Sequence, residues 1–357
     1  MIAALILPAG ILLAVLEYFW ARWSLRALTF RGSPDKLLAQ PGETVTWTAE
    51  VENRSKMPIL FARLWQTFPG KLDIRAKKEW MDTHVTESFQ LSHVEERMSL
   101  MPRQRCRRSL QFTIDKRGSY RLGQYRLSAG DLLGLSEESV SGEGQELVIM
   151  PERSRDLKML QALGGFLGDV SVRRFILEDP ILTIGFRDYT GREPMKAISW
   201  TRTAMTGSLQ VKQFDHTAEQ NVVVLLNVEG AGVGDLEECF RLTRSVCEEL
   251  ERKKIPYAFR TNGNLPGPVG KVFSLASGLG GSHLRTILYG LGKADDTCFQ
   301  SWGYLVEQTA KHRKQNEAYI IITPELDLRG KAALRRLEQA AGSGICLLTG
   351  KAREDAA

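Results

Sequence analysis

The stretch VVVLLNVEG, residues 222–230, carries an apolar run straight into an amide and a carboxylate. Asn227 and Glu229 are where chemistry is sought first. Oxygen-bearing side chains at the end of a buried strand form either the rim of a metal or ligand site or an ordinary strand-to-loop transition. No other chemical pattern is complete. A phosphate-cradling loop needs G-x-x-x-x-G-K-[ST] after a strand. Gly292-Lys293 is followed by Ala294, with Ile287 in place of the first glycine, and Gly270-Lys271 and Gly350-Lys351 fail likewise. There is no G-x-S-x-G elbow and no H-E-x-x-H motif. The five histidines, at 84, 93, 216, 283 and 312, stand apart. Asp215 and His216 are adjacent, so on a strand they point to opposite faces, and the pair reads as a surface turn. The run Gly278-Leu279-Gly280-Gly281 could nest an anion at a helix N-terminus, but a flexible entry loop is the simpler account. No catalytic residue, cofactor or metal is assigned.

The elements that must position Asn227 follow from periodicity. NVVVLLNV is a continuous apolar run, as in a strand covered on both faces. DLEECFRLTRSVCEELERKK places Leu236, Phe240, Val246 and Leu250 at helical spacing. IPYAFRT, AYIIIT and GICLLT read as strands; SHLRTILYGL, SWGYLVEQTAKHRKQ and KAALRRLEQAA read as helices. Alternating strands and helices predict a mostly parallel, doubly wound α/β sheet. Ligands of such sheets bind beyond the carboxyl ends of the strands, where Asn227 stands.

Upstream the grammar differs. Val45, Trp47, Ala49 and Val51 alternate with Thr44, Thr46, Thr48 and Glu50, the period of a half-buried strand. ILFARLWQTF, VTESFQL, SLQFTI, SYRLGQYRL and ELVIM continue the series and predict an antiparallel β-sandwich over 41–150. Arg103, Arg105, Arg107 and Arg108 lie in this region and read as a solvated strand face, with an anionic membrane surface as the alternative.

A chain of 357 residues exceeds what one core usually covers, so more than one domain is expected. The net charge of +6 fits an anionic surface or an acidic partner as well as an ordinary basic protein. No aromatic-studded basic array is present, which argues against nucleic acid. Five scattered cysteines, never in C-x-x-C spacing, argue against a disulfide scaffold or a zinc site. The segment 1–23 is almost wholly apolar, interrupted by Glu17 and closed by Tyr18, Trp20 and Trp23. It predicts a transmembrane helix, and Arg22, Arg26 and Arg31 behind it predict a single-pass protein of the cell membrane with its bulk in the cytoplasm. A basic linker then covers 24–40.

Between the two folded regions, 151–215 contains GFRDYTGREPMKAISWTRTAMTGSLQVKQFDHT. Arg187-x-Tyr189, Glu193, Ile198-x-Trp200 and Val211-Lys212-x-Phe214 ahead of VVVLLN resemble the signature of domain-of-unknown-function family 58, a bacterial and archaeal group. RGSYRLG (117–123), GDLLGL (130–135) and ELVIMPE (146–152) resemble the family's stretch before that signature. The family usually has aspartate near Glu193, an arginine pair at Lys196-Ala197 and often histidine at Ser199. Its members often carry two membrane segments, where only one is found here. The resemblance implies that 216–357 is a von Willebrand A-like domain. Such domains hold magnesium through D-x-S-x-S at the first strand end, with a distant threonine and aspartate. Here Asn227-x-Glu229-x-Ala231 stands instead, with Thr323, Glu325 and Asp327 after another strand, which implies a degenerate metal site. The implied function is a membrane-anchored binding or scaffold protein partnering a MoxR-type AAA+ ATPase in assembly or maturation of envelope or other complexes. Asn227, Glu229, Ala231 and Thr323 would contact the partner. Two alternatives stay open: a hydrolase using Glu229 or Asp235 with a metal, and a purely structural envelope component. The simplest reading of the signature is packing, with Trp200 filling a groove and Arg187 pairing with Glu193 or with backbone carbonyls.

Overall fold

The computed structural model describes residues 15, 17–20, 22–70, 75–76, 83–88, 91–130, 137–176, 179–191, 193–215, 221–230, 232–267, 274–313, 317–341 and 344–351. The chain divides into two compact units, Met1–Glu152 and Arg153–Ala357.

The first unit is built from β1 (Leu28–Pro34), β2 (Leu38–Ala39), β3 (Thr44–Asn53), β4 (Ile59–Pro69), β5 (Arg75–Ala76), β6 (Thr83–Ser88), β7 (Leu91–Leu100), β8 (Arg105–Thr113), β9 (Gly118–Leu122), β10 (Gln124–Gly130), β11 (Glu137–Gly142) and β12 (Gln145–Ile149). One sheet runs β1-β3-β8-β5, a second β11-β10-β4-β7-β6, and a small third β2-β12-β9. β1 forms within the stretch read as a linker, pairing along β3 from Leu28↔Asn53 to Pro34↔Trp47. The period-two residues Val45, Trp47, Ala49 and Val51 share one core with Leu64, Phe68, Val94, Leu110, Phe112 and Leu127. Trp47 meets Phe68 edge-on at 5.9 Å, and Phe68 meets Phe112 at 5.8 Å, so three rings join strands of the two larger sheets. The buried indole N–H of Trp47 donates to Gln66 Oε1 at 2.7 Å, which satisfies a group that burial would otherwise penalise. SYRLGQYRL reads as one strand but forms two, broken at Gly123. Its φ of 66° suits glycine, and a Cβ there would lie 2.1 Å from the Trp47 ring.

The second unit holds α1 (Leu157–Ile176), β13 (Asp179–Asp188), a 3₁₀ turn (Met195–Ala197), α2 (Trp200–Thr206), β14 (Gln210–Asp215), β15 (Asn221–Leu226), α3 (Val233–Arg252), β16 (Tyr257–Thr261), β17 (Ser274–Gly278), α4 (Gly281–Lys293), α5 (Trp302–Lys311), β18 (Glu317–Thr323), α6 (Leu328–Ala341) and β19 (Ile345–Thr349). Its main sheet runs β17-β16-β15-β18-β19. β15 is parallel to β16 and β18, β18 is parallel to β19, and β17 closes one edge antiparallel to β16. Val223, Leu225, Ala258, Tyr319 and Ile321 pack against Trp302, Leu305 and Val306 of α5 and Leu334 and Leu337 of α6. The alternate residues Val222, Val224, Leu226, Tyr257, Phe259, Ile320 and Ile322 are equally buried and point the other way. On that face Tyr257 reaches α3, its hydroxyl donating to Glu251 at 3.3 Å. Cys239 and Cys247 of α3 are fully buried.

The expected fold class is corrected. Of the strands described, β1–β12 belong to a β-sandwich unit, which is joined to a unit built around a five-stranded mixed sheet. No helix among the described residues is long and apolar enough to cross a membrane. Residues 1–14, 16 and 21 of the apolar segment lie outside the described residues. The helical residues between Val15 and Ala27 include Glu17, Arg22 and Arg26, and the chain turns into β1 at Leu28. The described residues thus supply no spanning helix, which takes roughly 20 apolar residues. The expected single-pass membrane location, with the bulk of the chain cytoplasmic, is corrected on the same ground.

Candidate functional site

β15 is followed in the chain by β16 on one side, while β18 lies on its other side. The strand order therefore reverses between β15 and β18. A crevice opens there at the carboxyl ends of the parallel strands. Its volume is about 480 Å3, and its lining includes Asn227, Glu229, Trp302, Glu325, Asp327 and Arg329.

The crevice floor is a closed set of hydrogen bonds. Asn227, 1% exposed, donates through Nδ2 to Thr323 Oγ1 at 3.0 Å, and Thr323 passes its proton to the Pro324 carbonyl. Asn227 Oδ1 accepts from Asn262 Nδ2 at 2.7 Å and from the Glu229 N–H at 3.0 Å. Asn262 Oδ1 accepts the Val228 N–H at 2.9 Å. Three strand ends are thereby fastened through side chains, since Asn227 follows β15, Asn262 follows β16 and Thr323 ends β18. Buried amides satisfied in this way rigidify a site.

The rim carries the charge. Glu229 is exposed, and its Oε2 accepts the N–H of Trp302, the first residue of α5, at 2.5 Å. Ser301 caps the same helix by accepting from the Tyr304 N–H. Asp327 Oδ1 accepts the Gly330 N–H of α6 at 2.6 Å. Two helices thus begin at the crevice with a carboxylate on each amino end, where the helix dipole favours negative charge. Glu325 pairs with Lys351 at 2.9 Å, which holds its carboxyl below the usual range.

Asn227, Glu229 and Thr323 therefore come together, and Ala231 lies outside the described residues. Asp235 sits in the first turn of α3, and it is not part of the crevice lining. The sequence reading missed Asn262 and Trp302. The Asn-Gly pair directly after YAFRT was the available signal for Asn262. The glycine run before α4 has an occupant from the chain itself, because both oxygens of Glu251 accept the Gly280 N–H, at 3.0 and 2.9 Å. His216 lies outside the described residues.

The signature residues form a separate module. β13 and β14 pair in an antiparallel hairpin with the 3₁₀ turn and α2 between them. Arg187 Nη1 meets Glu193 Oε1 at 2.6 Å. Glu193 also accepts from the Thr190 hydroxyl at 2.8 Å and the Thr190 N–H at 3.1 Å. The Tyr189 N–H donates to the Leu209 carbonyl, and Ile198 is buried in a bridge to Val211. Lys212 is exposed opposite Phe186, and Phe214 lies on β14. Trp200 does not fill a groove: it starts α2 and is 60% exposed, so that expectation is corrected. The Thr190 hydrogen bonds, with Arg187, hold the Glu193 carboxyl at about 2. The support this gives to the turn is present above the usual 4.5 and is lost as pH falls through about 2. A carboxyl-carbon NMR titration is expected to find Glu193 ionised at pH 3, and Thr190→Val is expected to raise its midpoint.

No protein-family model matches the chain, and no curated protein matches it. Among solved structures it is similar to a CARDB domain from Pyrococcus furiosus at 10% identity, over 34% of this chain and 91% of that one, with a TM-score of 0.22. It is also similar to an uncharacterized immunoglobulin-like protein from Nocardia farcinica at 12% identity, over 34% and 96%, with a TM-score of 0.24. A third is a cohesin module from a Clostridium perfringens family 33 glycoside hydrolase, at 10% identity over 34% and 96%, with a TM-score of 0.25. The von Willebrand A-like label is corrected here: no family match supports it, and the fold of 216–357 is described by its own strand order.

Proposed function

We propose that this chain is a binding or scaffold protein that docks a protein partner at the crevice between β15 and β18. The observation that carries this reading is the closed floor. Every oxygen of the Asn227, Asn262 and Thr323 side chains already accepts or passes on a hydrogen bond within the chain. Ser301 and Glu229 are spent on the start of α5, which leaves no nucleophile beside a free base among the described lining residues. Glu229, Glu325 and Asp327 each use one oxygen within the chain and stay exposed around Arg329, so their second oxygens form a setting for a basic side chain brought by a partner. The resemblance of Arg187, Tyr189, Glu193 and Trp200 to the family signature names a MoxR-type AAA+ ATPase as that partner.

The test is calorimetric titration of the full chain with a purified MoxR-type ATPase from the same organism, with and without nucleotide. A complex weakened at least tenfold by Glu325→Lys is expected, since a rim charge of the wrong sign opposes docking. No complex in either nucleotide state, or one indifferent to that substitution, overturns the proposal.

A further inference from the structure

The outer face of the sheet β11-β10-β4-β7-β6 bears a second concavity, of about 770 Å3, in a different unit from the crevice. Small-ligand sites occupy roughly 300–1,000 Å3. Strand alternation puts Leu64, Gln66 and Phe68 of β4 inside and Arg63, Trp65 and Thr67 outside. Trp65 is the aromatic ring of this outward set, and it is 37% exposed. His93 of the neighbouring strand lies beside it, ring centroids 5.7 Å apart, with Nδ1 3.2 Å from the Thr67 hydroxyl. The indole is thus a flat apolar platform braced from one side.

Polar groups of two kinds surround it. Some are fixed: Arg63 meets Glu95 at 3.3 Å and Glu137 at 3.8 Å, and Ser128 donates to Glu137. Others are unspent among the described residues, namely the Gln124 amide, the Ser139 and Ser141 hydroxyls and the Arg126 guanidinium. Arg126 stands directly across from Trp65 in register, with Ser141 on its other side. An exposed ring, flanked by hydroxyl and amide groups and one uncompensated cation, matches the two faces of a sugar. The C–H face of the pyranose stacks on the indole, and the hydroxyls bond the fork of donors and acceptors. The free guanidinium matches a carboxylate on that sugar in bidentate geometry.

We propose that this concavity is a binding site for an acidic oligosaccharide, with Trp65 as the stacking platform and Arg126 as the carboxylate receptor. A nucleic-acid strand also stacks on aromatic rings, but it needs a basic groove along its phosphates. Here Glu95, Glu137 and Glu143 are already paired with Arg63, Arg97 and Arg121, so among the described lining residues Arg126 is the one unpaired cation, enough for a carboxylate and too little for a run of phosphates.

The experiment titrates the purified full chain with tetragalacturonate, with cellotetraose as the neutral counterpart and with a short oligothymidylate, following heat release. Expected is saturable binding of tetragalacturonate, weakened at least tenfold by Trp65→Ala and about as much by Arg126→Gln, with cellotetraose bound weakly or not at all. Both side chains reach solvent, so both variants fold, and unchanged circular dichroism checks this. The proposal is overturned by no binding of tetragalacturonate at millimolar concentration. It is equally overturned by binding indifferent to Trp65→Ala, by equal affinity for cellotetraose, or by a preference for the oligothymidylate.

Discussion

Replacing Glu96 with glutamine is expected to stabilise the sandwich above neutral pH. Glu96 lies on β7 between Leu64 of β4 and Thr83 of β6, on the inward side with Ser92, Val94 and Leu100. It is 1% exposed, and neither carboxylate oxygen has a hydrogen-bond partner among the described residues. Burial raises its carboxyl from the usual 4.5 to about 7, against the opposing pull of the Arg108 charge on β8. A raised carboxyl binds its proton more tightly in the folded state than in the unfolded one. Stability is therefore full below the unfolded value and is lost as pH rises from about 4.5 through about 7. The loss amounts to about 3 kcal/mol in alkaline solution. Glu96→Gln removes the charge and keeps the shape. Thermal unfolding at pH 8.5 is expected to shift upward by on the order of 10 °C. At pH 5 the two proteins should unfold together. A wild-type midpoint that does not fall between pH 5 and 8.5 would refute the account.

The second large effect concerns Asn262. Its side chain both supplies Asn227 Oδ1 with a proton and takes the Val228 N–H, all within the interior. Asn262→Ala strands the Val228 amide and removes one of the two donors to Asn227. A buried group left unpaired costs about 1–3 kcal/mol, so the substitution is expected to destabilise the second unit by about 2–4 kcal/mol. Chemical denaturation measures this directly. Docking at the crevice should weaken too, since Asn227 loses its register between β15 and β18. Asn262→Asp keeps the acceptor for Val228 but sets a buried carboxylate oxygen against Asn227 Oδ1, so at neutral pH it should cost at least as much as Asn262→Ala. A loss smaller than that of an exposed control such as Glu307→Ala would show that the floor is not held in this way.

Much of the element order was legible in the sequence, because period decides which side chains can share a face. Val45 to Val51 at period two, and Leu236, Phe240, Val246 and Leu250 at helical spacing, fall on β3 and α3. The short edge strand β17 was not legible, since Ser274–Gly278 carries only Leu275 as a large apolar residue. Gly123 looked like an interruption tolerated by one strand. Its meaning depends on Trp47, distant in the chain, whose ring occupies the space a side chain would need. The crevice was half legible: a strand end marks Asn227 and the family resemblance pointed to Thr323, but the bonds that join 227, 262 and 323 are set by sheet order. At the apolar start hydropathy alone was legible: the described residues there, 15, 17–20 and 22–27, carry Glu17, Arg22 and Arg26 and give way to β1 at Leu28.

The buried thiols of α3 give the second unit a built-in clock. Burial pushes the Cys239 thiol up to about 12, and burial likewise raises Cys247. Neither is nucleophilic while the helix lies on its sheet, because alkylation requires thiolate and access. Iodoacetamide therefore modifies these two cysteines only as often as α3 lifts away. The slow component of labelling reports the population of that layer's open state, and its opening rate once the reagent is concentrated enough to outpace reclosing.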